Sequence, residues 1–385
     1  MQVNGNNGNG NGKRRMLRMS GNELMSHPLL PPGYYIPTSR KIHASKRMRE
    51  LLRTESLLVG PAVCDPMGAK LAMNHGFKVV YFSLPSFAAA YLGTTDMDLC
   101  SGVEIADVAR RTVSALRKFQ LTAAVGDPET GVPPRSLHIP PVVADVNGVS
   151  NISNIRLATE LYVGAGLAAA QIDDQVLPRG SNTREAMIPH SEIAGKLKMA
   201  RVVADDCGNL DFVIIARTGG LGALDEPGSS RGLDRAVERA LRYLDSGIPD
   251  MVGGDLPRND HAQVERFCWE VRKRFPKAIF GFNWSSSLSN PEPLRFSELA
   301  DIGVKFILVT LGAQANRSGL NEVLQGMAEG QTQAFTELQP DEWAADARSH
   351  AQFSDETYRR LVGKMFGAGP VGNESSEELA KEKVV

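Results

Sequence analysis

Short runs of β-branched and apolar residues recur along the chain, and most are followed by a stretch with helical spacing of apolar positions. The runs are Ser56–Val63, Lys78–Ser83, Pro141–Val146, Ala168–Asp173, Asp211–Arg217, Asp250–Asp255, Ala278–Trp284 and Val304–Thr310. Continuous apolar runs of this length suit strands buried on both faces, as in a parallel sheet. Between them lie helical segments. Ile155–Gly164 is apolar at 155, 157, 158, 161 and 162, and Leu233–Leu244 at 233, 236, 237, 240, 241 and 244. Ser191–Ala204 opens with Ser191 as its expected cap, and Asp260–Phe275 opens with Asp260 and stops before Pro276. Eight strand runs alternating with helices predict an α/β fold, a (β/α)8 TIM-type barrel, with a doubly wound open sheet as the alternative.

Composition narrows the function classes. Lys and Arg total 43 against 44 Asp and Glu, a net charge of -1. That balance speaks against nucleic-acid or membrane binding through bulk charge. A stretch of 18 apolar residues, the signature of a spanning helix, does not occur. Cys64, Cys100, Cys207 and Cys268 are scattered, without a CxxC pair or zinc spacing, so a reducing, cytoplasmic setting is expected. The first residues are mostly Asn and Gly before turning basic, and lack the apolar stretch of a secretory signal. The expected organisation is a disordered tail over 1–22, a barrel with C-terminal helices over 23–366, and a flexible tail over 367–385.

In such a barrel the chemistry lies at the C-terminal ends of the strands. Here those ends are polar at seven of the eight runs: Ser83, then Asp145 and Asn147, Asp173 and Asp174, Arg217, Asp255, then Asn283, Ser285 and Ser287, and finally Thr310. An acidic group closing a buried strand costs several kcal/mol unless it is paired, hydrogen-bonded or metal-bound. Ser, Thr, Asp and Asn at single positions are ordinary helix caps. Arg217 is not, because arginine caps helix N-termini poorly. Asp145, with Asp173 and Asp96 nearby, forms an oxygen-donor set suited to Mg²⁺, which takes one or two carboxylates and keeps several waters. Arg217 suits a substrate carboxylate held by both arms of its guanidinium. Asn283, Ser285, Ser287 and Thr310 are neutral donors for a second carboxylate. A cation facing an anion clamp suits enolate chemistry on an oxo-acid.

On these residues the chain resembles the isocitrate lyase and phosphoenolpyruvate mutase superfamily, from about residue 31 to 359. The carriers are PVVADVNG, QIDDQVLPRGS, FVIIARTGG, FNWSSSLSN, FILVTLGA and FTELQPDEWAAD. The last three are more similar to isocitrate lyases than to the mutases. The resemblance implies an eight-stranded barrel whose last helix is swapped between subunits, a homo-oligomer (dimer or tetramer), and Mg²⁺ or Mn²⁺ as cofactor. Its substrates are small 2-hydroxy or 2-oxo carboxylates. By motif matching, Asp145 falls on the principal metal carboxylate and Asp96 on an outer metal-site position, with Asp173 beside them. Ser83 falls where the oxo-acid half binds, Arg217 on the substrate-carboxylate arginine, and Asn283, Ser285, Ser287 and Thr310 on the residues that grip the succinate half.

The departures bear on the chemistry. The second metal-site carboxylate of the family is Asn147 here, the Glu of its Glu-Asp-Gln is Asp173, and its strand-six Glu is Asp255. The Ser-Gly-Trp after strand two is Ser83-Leu84-Pro85, which loses a backbone donor at Pro85. In the loop after strand four, where isocitrate lyases carry a Cys-Gly-His segment, this chain has Arg179-Gly180-Ser181-Asn182-Thr183. A thiol of pKa about 8.5 exchanges protons near neutrality. The Ser181 hydroxyl needs an activating base. Three functions remain open: a divalent-metal C–C lyase of altered specificity, an oxo-acid hydrolase or mutase, and a barrel that binds without turnover. The first, acting on a substrate related to isocitrate or methylisocitrate in specialised metabolism, is the leading expectation.

Overall fold

A computed structural model describes residues 44–94, 99–125, 138–146, 151–175, 187–219, 231–255, 261–284, 294–310 and 312–329. Both expected tails lie outside the described residues. Eight strands form among the described residues: β1 Leu58–Pro61, β2 Val80–Phe82, β3 Val142–Val146, β4 Ala169–Asp173, β5 Val213–Thr218, β6 Met251–Asp255, β7 Phe280–Asn283 and β8 Phe306–Val309. Each falls inside its predicted run except β5, which continues one residue further. All pair in parallel, in the order β1-β8-β7-β6-β5-β4-β3-β2. The two ends meet where Ala62 bridges Tyr81 in parallel and the Val63 N–H donates to the Tyr81 carbonyl at 2.8 Å. The sheet is a (β/α)8 barrel, and the open-sheet alternative is excluded.

Strand alternation sorts the core into two layers. On β3, Val142, Ala144 and Val146 pack outward against the helices, while Val143 joins the barrel interior. The interior floor is apolar and includes Ile215, Met251, Phe306 and Leu308. Glycines make room for two of its large side chains. A Cβ on Gly281 would stand 2.5 Å from Met251 Sδ, and one on Gly60 3.0 Å from the Phe306 ring.

The helix Ala44–Thr54 plugs this floor. It buries Met48, Leu51 and Leu52 with the interior cluster, at helical spacing. Each such side chain contributes about 1.5–3 kcal/mol when buried. Arg49 ties it down, donating to the carbonyls of Asp211 (2.8 Å) and Phe212 (3.3 Å) and to Asp250 Oδ1 (2.8 Å). Those residues precede β5 and β6, so the plug closes the face opposite the strand C-termini.

The four predicted outer helices appear as Ile152–Ala165, His190–Asp206, Arg231–Asp245 and His261–Arg274. Asn151 caps the first, its side chain accepting from the N–H groups of Ser153 and Asn154 at 3.1 Å. Gly166 ends it with φ 87, a left-handed conformation that glycine adopts without strain. The cap expected at Ser191 is corrected: Pro189 precedes the helix and Ser191 lies in its first turn. The physical reason is upstream, where the Ile188 N–H donates to the Asp174 carbonyl at 2.8 Å and holds the chain extended until Pro189. Asp260, the expected cap of the last helix, lies outside the described residues. No helix among the described residues is long and apolar enough to cross a membrane.

Candidate functional site

The described strand ends form a polar rim above the apolar floor. Asp145 sits on the inner face of β3, buried at 4% exposure. Its Oδ1 accepts from the Tyr81 hydroxyl of β2 and from Gln171 Nε2 of β4 at 2.8 Å. Gln171 Nε2 also donates to the Tyr81 hydroxyl at 2.9 Å. Gln171 is the register partner of Asp145 across β3 and β4, so the contact follows from the strand pairing. Oδ2 of Asp145 accepts from the Leu84 N–H at 3.2 Å, where the chain leaves β2 for the short helix Leu84–Phe87. On the outer side the Tyr162 hydroxyl donates to the Asp145 carbonyl at 2.7 Å. Burial, and then the charge of Asp145, push the Tyr162 phenol well above the usual tyrosine range, so it remains a neutral donor.

Asp173 and Arg217 face each other across β4 and β5 and form an ion pair, Nη1 to Oδ2, at 2.6 Å. Asp173 Oδ1 accepts from the Gln175 N–H at 2.6 Å. The pair is deeply placed, with side-chain exposures of 12% and 2% for Arg217 and Asp173. Asp174, the next residue, points the other way. Its carboxylate accepts from Arg239 Nε and the Tyr243 hydroxyl, each at 2.5 Å, and from the Gly219 N–H at 2.7 Å. Asp173 therefore belongs to the rim, whereas Asp174 holds an outer helix.

Ser83 is buried at the end of β2 and occupies the cap position of Leu84–Phe87 without a side-chain cap bond. Asn283 ends β7 in register with Asp255 of β6. Trp284, one residue on, faces outward, donating from Nε1 to the Leu294 carbonyl at 2.6 Å and meeting Phe296 edge to face. By alternation Asn283 falls on the inner side. Thr310 is half-buried just past β8. Asp96, Asn147, Ser181, Ser285 and Ser287 lie outside the described residues. Of the three carboxylates expected to converge, Asp145 and Asp173 are placed. Among the described residues, no three His, Cys, Asp or Glu side chains form a metal-ligating group.

Among the described residues, the rim sets two carboxylates, Asp145 and Asp173, beside one guanidinium, Arg217, and the carboxylates are hard oxygen donors. That donor set fits Mg²⁺ or Mn²⁺, which need few carboxylates. Protein donors orient both carboxylates, as supporting groups do around metal ligands.

A family model for phosphoenolpyruvate phosphomutase matches residues 48–329, from the plug helix through the whole barrel. The chain belongs to the phosphoenolpyruvate phosphomutase family. Within the wider phosphoenolpyruvate mutase and isocitrate lyase superfamily, it is 27% identical to the isocitrate lyase of Haloferax volcanii over 318 residues, 80% of this chain and 83% of that protein. It is 28% identical over 267 residues to the 2,3-dimethylmalate lyase of Eubacterium barkeri, covering 68% of this chain and 78% of that one. Its fold matches a phosphonopyruvate hydrolase solved with oxalate and Mg²⁺, with a TM-score of 0.64 at 19% identity, covering 83% of this chain and 98% of the other.

For this member of the phosphomutase family, reasoning from strand ends missed Tyr81 and Gln171. A signal for both exists, since each lies two residues before a predicted rim residue, Ser83 and Asp173, and so shares its face.

Proposed function

We propose that the protein is a divalent-metal-dependent C–C lyase acting on a 2-hydroxy di- or tricarboxylate related to isocitrate or methylisocitrate. The observation that carries this reading is the Arg217–Asp173 pair beside Asp145 at the strand ends, an anion clamp next to a cation-attracting carboxylate. The lyases among the relatives support it. In this reading Asp145 holds Mg²⁺ or Mn²⁺, with Asp173 and Asp96 assisting through water. The ion, when bound, supplies Lewis-acid stabilisation of charge developing on the oxo-acid oxygens. Arg217 holds the carboxylate of the oxo-acid half, and the Ser83 hydroxyl and Asp255 orient that half. Asn283, Ser285, Ser287 and Thr310 grip the carboxylate of the other half. In this reading the proton of the 2-hydroxyl passes to a water molecule as base, the adjacent C–C bond breaks to give the oxo-acid and a carbanion, and the carbanion takes its proton from the Ser181 hydroxyl, which regains one from solvent. The neutral serine limits that last step, so isocitrate itself is a poor substrate.

A hydrolase or mutase reading keeps the same rim and drops the Ser181 step. It is supported by the fold shared with the phosphonopyruvate hydrolase. A binding protein without turnover is the remaining reading, and the Asn147 position, which removes one carboxylate, favours it. Calorimetric titration of oxalate with and without Mg²⁺ tests the site itself, and turnover assays on hydroxy- and oxo-acids separate the two enzymatic readings from a barrel that binds without turnover. Metal-dependent oxalate binding is expected in the parent and absent in Asp145→Ala. Equal binding by Asp145→Ala overturns the assignment. Product analysis on hydroxy- and oxo-acids then distinguishes lyase from hydrolase.

The reading includes a homo-oligomer. The helix Gly312–Ala328 leaves Leu320, Leu324 and Met327 at 60%, 52% and 56% exposure, an apolar stripe at helical spacing that a second copy would cover. Light scattering after size exclusion tests this, and a monomer at micromolar concentration refutes it.

A further inference from the structure

We infer that Asp174, Arg239 and Tyr243 form a node behind the barrel wall that positions Arg217, so that residues of an outer helix set how tightly the rim holds an anion. The inference rests on the reading of Arg217 as the clamp for a substrate carboxylate. β4 and β5 run in register up to Asp173 and Arg217, which pair at the rim. One residue beyond Asp173, Asp174 turns outward. Its Oδ1 accepts from the N–H of Gly219, two residues beyond Arg217, at 2.7 Å. The ends of the two strands are therefore joined twice, by the ion pair on the inner side and by Asp174 on the outer side. Arg217 stands between the strand ladder and this second joint.

The joint is itself held from behind. Oδ2 of Asp174 accepts from Arg239 Nε and the Tyr243 hydroxyl, each at 2.5 Å. Nη2 of Arg239 donates to the Ile188 carbonyl at 2.8 Å, and the Ile188 N–H donates to the Asp174 carbonyl at 2.8 Å. These bonds close a ring from the Asp174 side chain through Arg239 and Ile188 to the Asp174 backbone. Asp174, Arg239 and Tyr243 are exposed by 0%, 5% and 2%, a dry setting that strengthens each bond. Gly219 fits the joint because it lacks a Cβ, which would stand 2.7 Å from Gln175 Cγ.

Rigidity at this place matters for an anion clamp. A guanidinium that grips a carboxylate must be held to within about 0.5 Å and 10–20°. If the end of β5 drifted relative to β4, Nη1 would leave Asp173 or the planar fork would tilt away from the anion. The buried node opposes that drift. Arg239 and Tyr243 act through Asp174 and are positioning residues.

The test is calorimetric titration of the intact chain with oxalate at saturating Mg²⁺, well below each variant's unfolding midpoint. Tyr243→Phe keeps the ring and removes only the hydroxyl. Arg239→Lys keeps a charge beside Asp174 and loses the fork that also reaches Ile188. Each is expected to weaken oxalate about fivefold, within the range for residues that modulate a site without touching its ligand. In an Arg217→Lys background the Tyr243→Phe change is expected to cost less than twofold, because no fork is left to aim. Leu51→Ala in the plug helix destabilises the barrel from the opposite face, where Leu51 is buried, and is expected to keep parental oxalate affinity. If Arg239→Lys does not fold, Tyr243→Phe alone decides. Affinity within twofold of the parent in the folded node variants overturns the node and leaves the clamp reading intact. Equal weakening in Leu51→Ala, or a Tyr243→Phe loss undiminished beside Arg217→Lys, overturns the node as well. A parent that binds no oxalate, or an Arg217→Lys variant that binds it as tightly as the parent, overturns the clamp reading and the node with it.

Discussion

Replacing Arg239 with methionine isolates what the outer ion pair contributes. Arg239 lies on the helix Arg231–Asp245 and is 7% exposed in its side chain, against 0% for Asp174. Its Nε donates to Asp174 and, at 2.8 Å, to the Tyr243 hydroxyl, and its Nη2 to the Ile188 carbonyl at 2.8 Å. Burial works against the guanidinium, but the charge of Asp174 outweighs it together with the hydrogen bonds, and the Arg239 pKa is raised. The group therefore stays charged at any working pH. Removing one partner of a buried pair costs about 3–5 kcal/mol, because the other charge is left uncompensated. Loss of the bond to Ile188 adds about 1 kcal/mol. Tyr243 and the Gly219 N–H still donate to Asp174 and offset part of this. The expected loss for Arg239→Met is about 4 kcal/mol, a large share of the typical stability of about 5–15 kcal/mol. Equilibrium urea unfolding measures it, provided the slope is unchanged. The companion Asp174→Leu/Arg239→Met variant removes both charges and is expected to regain at least half of that loss. If the single variant loses less than about 1 kcal/mol, the pair is not a buried electrostatic element and the reasoning fails.

Arg217→Lys keeps a charge and loses the planar fork, so it is expected to cost about 2–4 kcal/mol in kcat/KM on the preferred substrate; parental kinetics would reduce Arg217 to a structural partner of Asp173. Ser181→Ala is expected to cut turnover about a hundredfold with substrate affinity little changed. Ser181→Cys is expected to give little isocitrate cleavage, and robust cleavage would refute the altered substrate. Cys64 and Cys268 are buried thiols raised to about 11 and about 12, Cys64 by burial and then by Asp65, and Cys268 by burial. A disulfide reagent at pH 8 should label exposed Cys207 first, and rapid labelling of two or more thiols in the folded chain would contradict this burial. The sign for stability follows: above the ordinary thiol value the unfolded chain releases thiol protons that the folded chain keeps, so stability falls as pH rises from there toward about 11.

The barrel was legible because its strands are short runs dominated by apolar residues, buried on both faces over most of their length. Val142–Val146 shows why the run is continuous: its outward residues meet helices and its inward ones meet the floor. Asp145 and Asp173 were legible because a carboxylate at the end of such a run demands an explanation. The adjacent pair Asp173–Asp174 was harder. Position alone puts both at a strand end, and only the strand's alternation separates a rim group from one that binds Arg239, 65 residues later in the chain. Tyr81 and Gln171 were hidden for the opposite reason. Inside an apolar run a tyrosine reads as bulk and a glutamine as an interruption, and their meeting requires β2, β3 and β4 side by side. The Ser191 expectation failed because capping was judged from residue type, while the helix start is set by the bond from Ile188 to Asp174.

The plug helix has a consequence for how the chain is made. Ala44–Thr54 precedes every strand of the barrel described, yet Arg49 bonds residues 162, 163 and 201 positions further on. β1 likewise pairs with β8, the last of the described strands. A ribosome delivers the floor's cover first and its walls last, so the nascent chain carries Met48, Leu51 and Leu52 exposed until β5 and β6 emerge. Contacts of such sequence separation slow folding and prolong exposure of apolar surface. The opening of the described chain therefore presents an apolar face in need of chaperone cover during synthesis, although in the finished barrel Met48, Leu51 and Leu52 are buried.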